Sequence, residues 1–511
     1  MYNGVQRQRQ YMVADLKVLH QEYLAQNKDA PYVSYRTFCR YRPAWIVAPK
    51  LSGRDTFLCK LCENFSLLLT SCKSSHLISS SSRSAISKSL CCSESSTECL
   101  LRYCDNCKSK TIACNECDDK KPLMYRQWVT MKEKVYSFKS KSEIEIRVLK
   151  KKCIYSTVAD LKAKLEQEVI LYMKHSGRVN NQTRAADKLI KSLKENEMAL
   201  LIDWSMNFVC KYGREPQSMH FGASHTQLAL HTGRLYFAEG KSQSFCTLSE
   251  VTRHDPCAII AHLIPVLEKY LALHPEVTNL YFISDGPTSQ YRNRYLFWLI
   301  GTYLTKKFPQ IVKIEWLFSE SGHGKGEADG VGGVIKRTAD RVVCYGGDVD
   351  NLNKLVDVLK SRCPSIDIAV IPLNDIIAID SLNVPETNQL KGTMQVHHYV
   401  WDRKQPLEIS FKLLSCQTCP RDSTSCPHHS LGKAWSLKKK SKEKVEPKQK
   451  ATPKEKAKPK QKAAPKEKAK TKQKAAPRQK AKPKKNLEPK APSKKGSASM
   501  QNAATKSKRK H

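Results

Sequence analysis

The chain has 511 residues, with 88 Lys and Arg against 48 Asp and Glu, a length that holds two or three domains because single cores stop growing well before it. The excess is uneven. Lys438 to His511 carries 29 basic and 5 acidic residues and the remainder 59 and 43, a basic tail on a moderately basic body that points to a polyanionic partner.

No charged n-region followed by an apolar h-region opens the chain, and apolar runs such as Tyr295 to Gly301 are too short for a bilayer. A soluble, intracellular protein with no membrane partner is therefore expected. With twenty cysteines, several in C-x-x-C pairs, thiolates holding Zn²⁺ are expected rather than a secreted disulfide framework.

In chain order, Tyr11 to Gln26 predicts an amphipathic helix with Met12, Leu16, Leu19 and Leu24 near one face, and VSYRTFCRYRP a second that ends at Pro43. Arg36, Arg40 and Arg42 on the second helix suit DNA, although a small hairpin with solvated arginines fits as well. From Cys59 to Cys117 the composition predicts metal-organised loops rather than a large apolar core. Cys59, Cys62, Cys99, Cys104, Cys107, Cys114 and Cys117 have spacings that suit tetrahedral sulfur ligation of two Zn²⁺ ions, with Cys91, Cys92 and His76 as spare candidates. Two helices, about Thr157 to Met173 and Thr183 to Lys194, are expected to bridge this region to the core.

A βββαβαβα series follows. Ala199 to Val209 reads as a buried strand, and Gln227–His231 and Leu235–Ala238 as a hairpin about Thr232-Gly233-Arg234. Asp255 can cap a helix with Pro256 at its first position. Leu280 to Ser284 is a short strand, Gln290 to Lys307 a helix, Val312 to Phe318 a strand, and a glycine-rich segment leads into a helix to about Val343. This pattern predicts a mixed sheet with helices on its faces.

Three acids fall at telling places in that series. Asp203 lies inside an apolar strand, where an unpaired carboxylate is costly to bury, so it needs a cation or a basic partner. Asp285 ends a strand ahead of Gly-Pro, which is also ordinary turn chemistry. Glu327 and Asp329 compete for the third place, pointing in different directions on a helix. Three gathered carboxylates can hold two hard cations roughly 3.5–4 Å apart for phosphoryl transfer. Gln290, Arg292, Asn293 and Arg294, just after the second acid, together with His323 and Lys325 in the glycine-rich segment, suit phosphate contacts or plain solvation equally. Cys416, Cys419 and Cys426, with His428 and His429, form a compact second zinc candidate.

The tail repeats KQKATPKEKAKP, KQKAAPKEKAKT and KQKAAPRQKAKP from Lys448 to Pro483. Lacking apolar residues to bury, it is expected to be disordered and to bind DNA or RNA without reading sequence. KKK at Lys438 and KSKRK at Lys506 also suit nuclear import.

The strand, strand, helix placement of the acids is similar to the ribonuclease H-like fold. The strings FCRYRPAW, SDGPTSQYRNR, HGKGEADGVGG, KGTMQVHHY and LLSCQTC, with the Cys99 to Cys107 cluster, His175, Gln217, His220 and His254-Asp255, resemble a widespread, mostly uncharacterised group of animal proteins that look like transposases or their domesticated descendants, over roughly Val33 to Cys426. The resemblance implies that Asp203, Asp285 and Asp329, the last favoured over Glu327, bind Mg²⁺ or Mn²⁺ and support DNA cleavage followed by attack of the freed 3′-hydroxyl on target DNA. It also implies a nuclear location, with a homo-oligomer among the open states. Two departures, Met206 where relatives carry an acid and Phe57 in a zinc motif, favour a non-catalytic DNA- or chromatin-binding descendant instead.

The expected architecture is α/β. It comprises a helical DNA-recognition segment (1–50), a Cys-rich zinc region (51–125), a helical connector (126–196), a ribonuclease H-like mixed sheet flanked by helices (197–346), an extension with a zinc knuckle (347–435) and a disordered Lys-rich tail (436–511).

Overall fold

A computed structural model of the chain describes residues 10–12, 16–28, 30–43, 45–47, 58–137, 141–222, 224–324, 326–382, 392–406, 408–420, 426 and 428–436, all within one compact unit, Met1–Ser441. The Lys-rich tail, Phe57 and Lys325 lie outside the described residues.

At the N-terminus β1 (Gln10–Tyr11) and β2 (Ile46–Val47) pair in parallel, and between them run α1 (Leu16–Gln26) and α2 (Tyr35–Tyr41). Ser34 starts α2 by accepting a hydrogen bond from Thr37 N at 3.2 Å. His20 sits among Tyr35, Phe38 and the Val33 carbonyl.

The Cys-rich region corrects the expectation of loops. It forms α3 (Lys60–Ser74), α4 (Arg83–Leu90) and α5 (Thr97–Leu100), which bury Phe65, Leu68, Leu69, Leu77, Leu90 and Leu100 in a common core. Serines that resemble loop composition are helix caps: Ser82 Oγ accepts from Ala85 N and Ser96 Oγ from Cys99 N.

A second correction follows. The expected helical connector begins instead with a long antiparallel hairpin, β3 (Pro122–Ser137) and β4 (Ser142–Thr157), in unbroken register from Pro122–Thr157 to Ser137–Ser142. Only then does the chain become helical, as one continuous α6 (Val158–Lys191) rather than two pieces. Its start is a reciprocal cap, Thr157 Oγ1 accepting from Asp160 N and Asp160 Oδ2 from Thr157 N. Tyr172 of α6 stacks on Phe65 of α3 at 4.3 Å.

The sheet comprises β5 (Glu197–Val209), β6 (Gln227–Tyr236), β7 (Ser242–Ser249), β8 (Asn279–Ser284), β9 (Lys313–Phe318), β10 (Ile366–Val370), β11 (His398–Asp402), β12 (Glu408–Lys412) and β13 (Ser430–Ser436). The helices among them are α7 (Gln217–Gly222), α8 (Pro256–Leu273), α9 (Arg294–Trp298), which passes through a π-helical turn (Leu299–Leu304) into α10 (Thr305–Lys307), then α11 (Glu327–Cys344), α12 (Leu352–Arg362) and α13 (Leu373–Asp380). The strand order is β10-β7-β6-β5-β8-β9-β11-β12-β13. The first three of the series, β5, β6 and β7, are antiparallel, while β8 and β9 continue outward from β5 in parallel.

Three readings change here. The expected turn at Thr232-Gly233-Arg234 is the interior of β6, whose Gly233 leaves room for the Phe245 ring of β7; the reversal comes after Phe237, at Ala238–Gly240. The 347–435 stretch is no separate extension, because β10 lengthens one side of the sheet and β11 to β13 the other. Against the expectation that apolar runs are too short for a bilayer, α8 is the one described helix long and apolar enough to cross a membrane. Its Ile259, Leu263, Val266 and Tyr270 are buried in the sheet's main core, which accounts for its apolarity.

Each sheet face has its own core. Met198, Leu200, Ile202 and Trp204 of β5 pack with α8 and α9. On the other face, Leu228 and Leu230 of β6 pack with Val331 and Ile335 of α11 and Leu355 of α12. A bulge between Ser205 and Phe208 shifts the register of β5, so Phe208 joins the α11 side although it is an even number of residues from Trp204.

Candidate functional site

Register alone brings two of the acids level. In the parallel pair β5–β8 the register runs to Leu201 against Ile283, and Asp203 and Asp285, each two residues further along, come close enough for the charge of Asp285 to act on Asp203. Asp203 also lies opposite Thr232 of β6, whose hydroxyl donates to Ala328 O at 2.9 Å and seats the start of α11 against the sheet. Asp329 lies in the first turn of α11, where its Oδ2 accepts from Gly326 N at 3.0 Å.

The electrostatics show that the three carboxyls crowd. Burial, then the charges of Asp285 and Asp329, push Asp203 up to about 8. Burial raises Asp285 to about 6 with a further push from Asp329, against the opposing pull of Arg292. Among the described residues neither Asp203 nor Asp285 is in an ion pair, and Asp285 Oδ1 is buried without a hydrogen-bond partner. A carboxylate oxygen so placed fits a cation. The acids do not draw together as tightly as the Cys and His sets below, whose ligand atoms lie within 4.8 Å of one another.

Glu327 is occupied elsewhere, with Arg234 Nε at 3.0 Å and the Tyr236 hydroxyl at 2.8 Å, leaving Asp329 as the third acid of the cluster. Close packing holds the helix there: a Cβ at Gly332 would collide with Ser205 Oγ, and one at Gly324 would fall 2.5 Å from Asp285 Cβ. Sequence reasoning missed Lys336, whose Nζ donates to Ser205 Oγ at 2.8 Å and brings a cation to the rim of the acids. Its spacing of seven from Asp329, two helical turns, was the available signal.

Three sets of side chains could hold a metal such as zinc: Cys59, Cys62, His175 and His323; Cys92, Cys99, Cys104 and Cys107; and Cys416, Cys419, Cys426 and His428. All twenty cysteines are free. In the first set Cys59 is drawn toward thiolate by Cys62 foremost, then by His175 and His323, while Cys62 is pushed the other way by Cys59. In the second, Ser96 lowers Cys99 to about 7. In the third, hydrogen bonds from Thr418 and Cys419 outweigh burial and lower Cys416 to about 6. Cys114 and Cys117 join none of these sets; they pack against the core of the Cys-rich region, and Cys117 Sγ donates to Ser75 O at 3.8 Å.

The expected phosphate contacts divide. Arg36, Arg40 and Arg42 are exposed. Arg292 is instead buried, donating to Met394 O and Ser319 O, and so braces the loops under Asp285. Asn293 caps α9 by accepting from Leu296 N at 3.0 Å, and its amide donates to Gln290 O at 2.7 Å. Gln290 and Arg294 are half-buried, Arg294 lying over Tyr295. His323 belongs to the first Cys and His set rather than to an open phosphate-binding loop. His254 stacks on Trp204 at 4.2 Å while Asp255 caps α8 through Ala258 N.

Fold and site together define a mixed α/β protein, helices on both faces of a large sheet, with sulfur- and imidazole-rich clusters beside half-buried Asp203 and Asp285 and exposed Asp329. Residues 182–415 match the family model described as Domain of unknown function (DUF8701), and residues 2–50 match Domain of unknown function (DUF8699). No curated protein and no solved structure matches the chain.

Proposed function

We propose that the chain is a transposase-like DNA-binding protein in which Asp203, Asp285 and Asp329 support divalent-metal-dependent cleavage and strand transfer on DNA. The observation that carries this reading is the buried, unpartnered Oδ1 of Asp285 level with Asp203 across β5 and β8. Two crowded acids that form no ion pair among the described residues, with only the nearby charge of Arg292 opposing, are a cost that Mg²⁺ or Mn²⁺ would offset. The five strands β7-β6-β5-β8-β9, with acids on the first and fourth in chain order and on the helix after the fifth, support a ribonuclease H-like core.

When bound, two such ions would stabilise charge on the attacking and leaving oxygens of a phosphodiester displacement. The chain's own groups hold the geometry. Thr232 and Gly332 fix α11 against β5, Arg292 fixes the loop after Asp285, and Lys336 offers a positive charge for a phosphate. Exposed Arg36, Arg40 and Arg42, with the Lys-rich tail, provide non-specific attraction to DNA in a nuclear protein.

A non-catalytic DNA-binding descendant is the second reading, and exposed Met206, three residues beyond Asp203, favours it. A nicking assay on supercoiled DNA with Mn²⁺ separates the two. Cleavage by wild type that Asp203→Asn and Asp285→Asn each reduce at least 100-fold supports the enzyme; equal nicking by all three proteins removes it.

A further inference from the structure

The connection between β9 and α11 touches two centres in quick succession. Ser319 N donates to Ser284 O at 2.9 Å, beside Asp285. The Glu320 carboxylate is buried and accepts from His175 Nδ1 at 2.8 Å, His397 Nε2 at 2.6 Å and Arg178 Nε at 3.0 Å. Gly322, at φ +77°, packs on Cys59. His323 then enters the first Cys and His set, and the next residue, Gly324, lies on Asp285. Gly326 N donates to Asp329 Oδ2 at 3.0 Å. One short connection therefore links the sulfur and imidazole cluster to two of the three acids.

The tautomer of His175 shows what the cluster is built to hold. With Nδ1–H donating to Glu320, the lone pair of Nε2 points inward, 3.4 Å from Cys59 Sγ and 3.1 Å from His323 Nε2. His323 Nε2 is in turn 3.5 Å from Cys62 Sγ. Two sulfurs and two imidazole nitrogens converging from α3, α6 and the β9–α11 connection, with a carboxylate behind one imidazole, form the donor set and outer support of a tetrahedral zinc site.

We propose that a Zn²⁺ ion held by Cys59, Cys62, His175 and His323 acts as a latch. It fixes the β9–α11 connection to the Cys-rich helices and so sets Asp329 against Asp203 and Asp285, making divalent-cation binding at the acids depend on zinc at the latch. The proposal rests on the reading of the acids as a cation site.

The test uses the full chain, with zinc counted by elemental analysis and Mn²⁺ affinity measured by electron paramagnetic resonance. His323→Ala is expected to lose one zinc per chain and to weaken Mn²⁺ binding at least tenfold. His323→Cys, which restores a ligand, is expected to recover both, so general misfolding is distinguished from loss of the latch. Glu63→Gln, on α3 beside Cys62 but outside the ligand set, is expected to keep both. Retention of all zinc by His323→Ala, or loss of one zinc with Mn²⁺ affinity unchanged, overturns the latch. If wild type binds no Mn²⁺ that Asp203→Asn removes, the acid reading itself fails and the coupling with it, a failure recognised by zinc loss in His323→Ala without any Mn²⁺ signal to change.

Discussion

At the scale of single residues, the molecule concentrates its electrostatic cost at Asp203 and Asp285. Asparagine at 203 removes one member of a crowded carboxyl cluster, so in EDTA Asp203→Asn is expected to melt higher, by roughly 1 °C for each kcal/mol of cost relieved in a folded unit of this length. A melting curve that falls instead would place the carboxylate in a stabilising contact. His262 contributes to the pH dependence of the opposite sheet face, alongside buried His231, which desolvation also lowers. Burial foremost, with the nearby His254, lowers His262 to about 3, and its Nδ1 is 2.7 Å from Thr247 Oγ1. An unfolded histidine takes up a proton near about pH 6.5, whereas this one stays neutral in the fold until about pH 3. Its contribution is thus complete above about pH 6.5 and is lost as pH falls toward 3. Urea midpoints across that range are expected to fall more steeply for wild type than for His262→Gln; equal slopes would remove His262 as the cause.

At the scale of elements, what could be read in the sequence depended on whether a local signal decided the structure. Asp255-Pro256 marks the start of α8 because the cap is local, and Asp255→Ala is expected to cost about 1 kcal/mol in chemical denaturation; no loss would show the cap to be redundant with Pro256. The strands carrying Asp203 and Asp285 were legible from their apolar runs and from the turn residues after Ser284. The β3–β4 hairpin was not read, although Glu143-Ile144-Glu145-Ile146-Arg147 alternates with period two, because the surrounding Lys and Glu also suit a helix. Its outer half leaves Val135, Ile144 and Ile146 exposed, so replacing residues 133–146 with a short turn is expected to leave the melting midpoint within about 1 °C. A larger fall would show that the arm packs on the body. The partners of Cys59 and Cys62 could not be paired by spacing, since His175 and His323 come from elements far along the chain. Gly233 was misread as a turn because its role is to admit the Phe245 ring from the neighbouring strand, a contact that no local pattern records.

At the scale of the whole molecule, one sheet unites segments that composition divides, and the charge of the chain is set by residues beyond that sheet. Removing Lys438 to His511 takes away 29 basic residues and is expected to flatten the salt dependence of DNA binding, measured as the slope of log affinity against log salt. An unchanged slope would assign the contacts to the body alone. The central claim, that acids distant in sequence share divalent ions, is tested most directly by anomalous diffraction from crystals of the protein soaked in Mn²⁺. The account expects density bound by oxygens of Asp203, Asp285 and Asp329, with two peaks about 3.5–4 Å apart. Manganese absent from all three carboxylates, at concentrations that fill other sites, would contradict it.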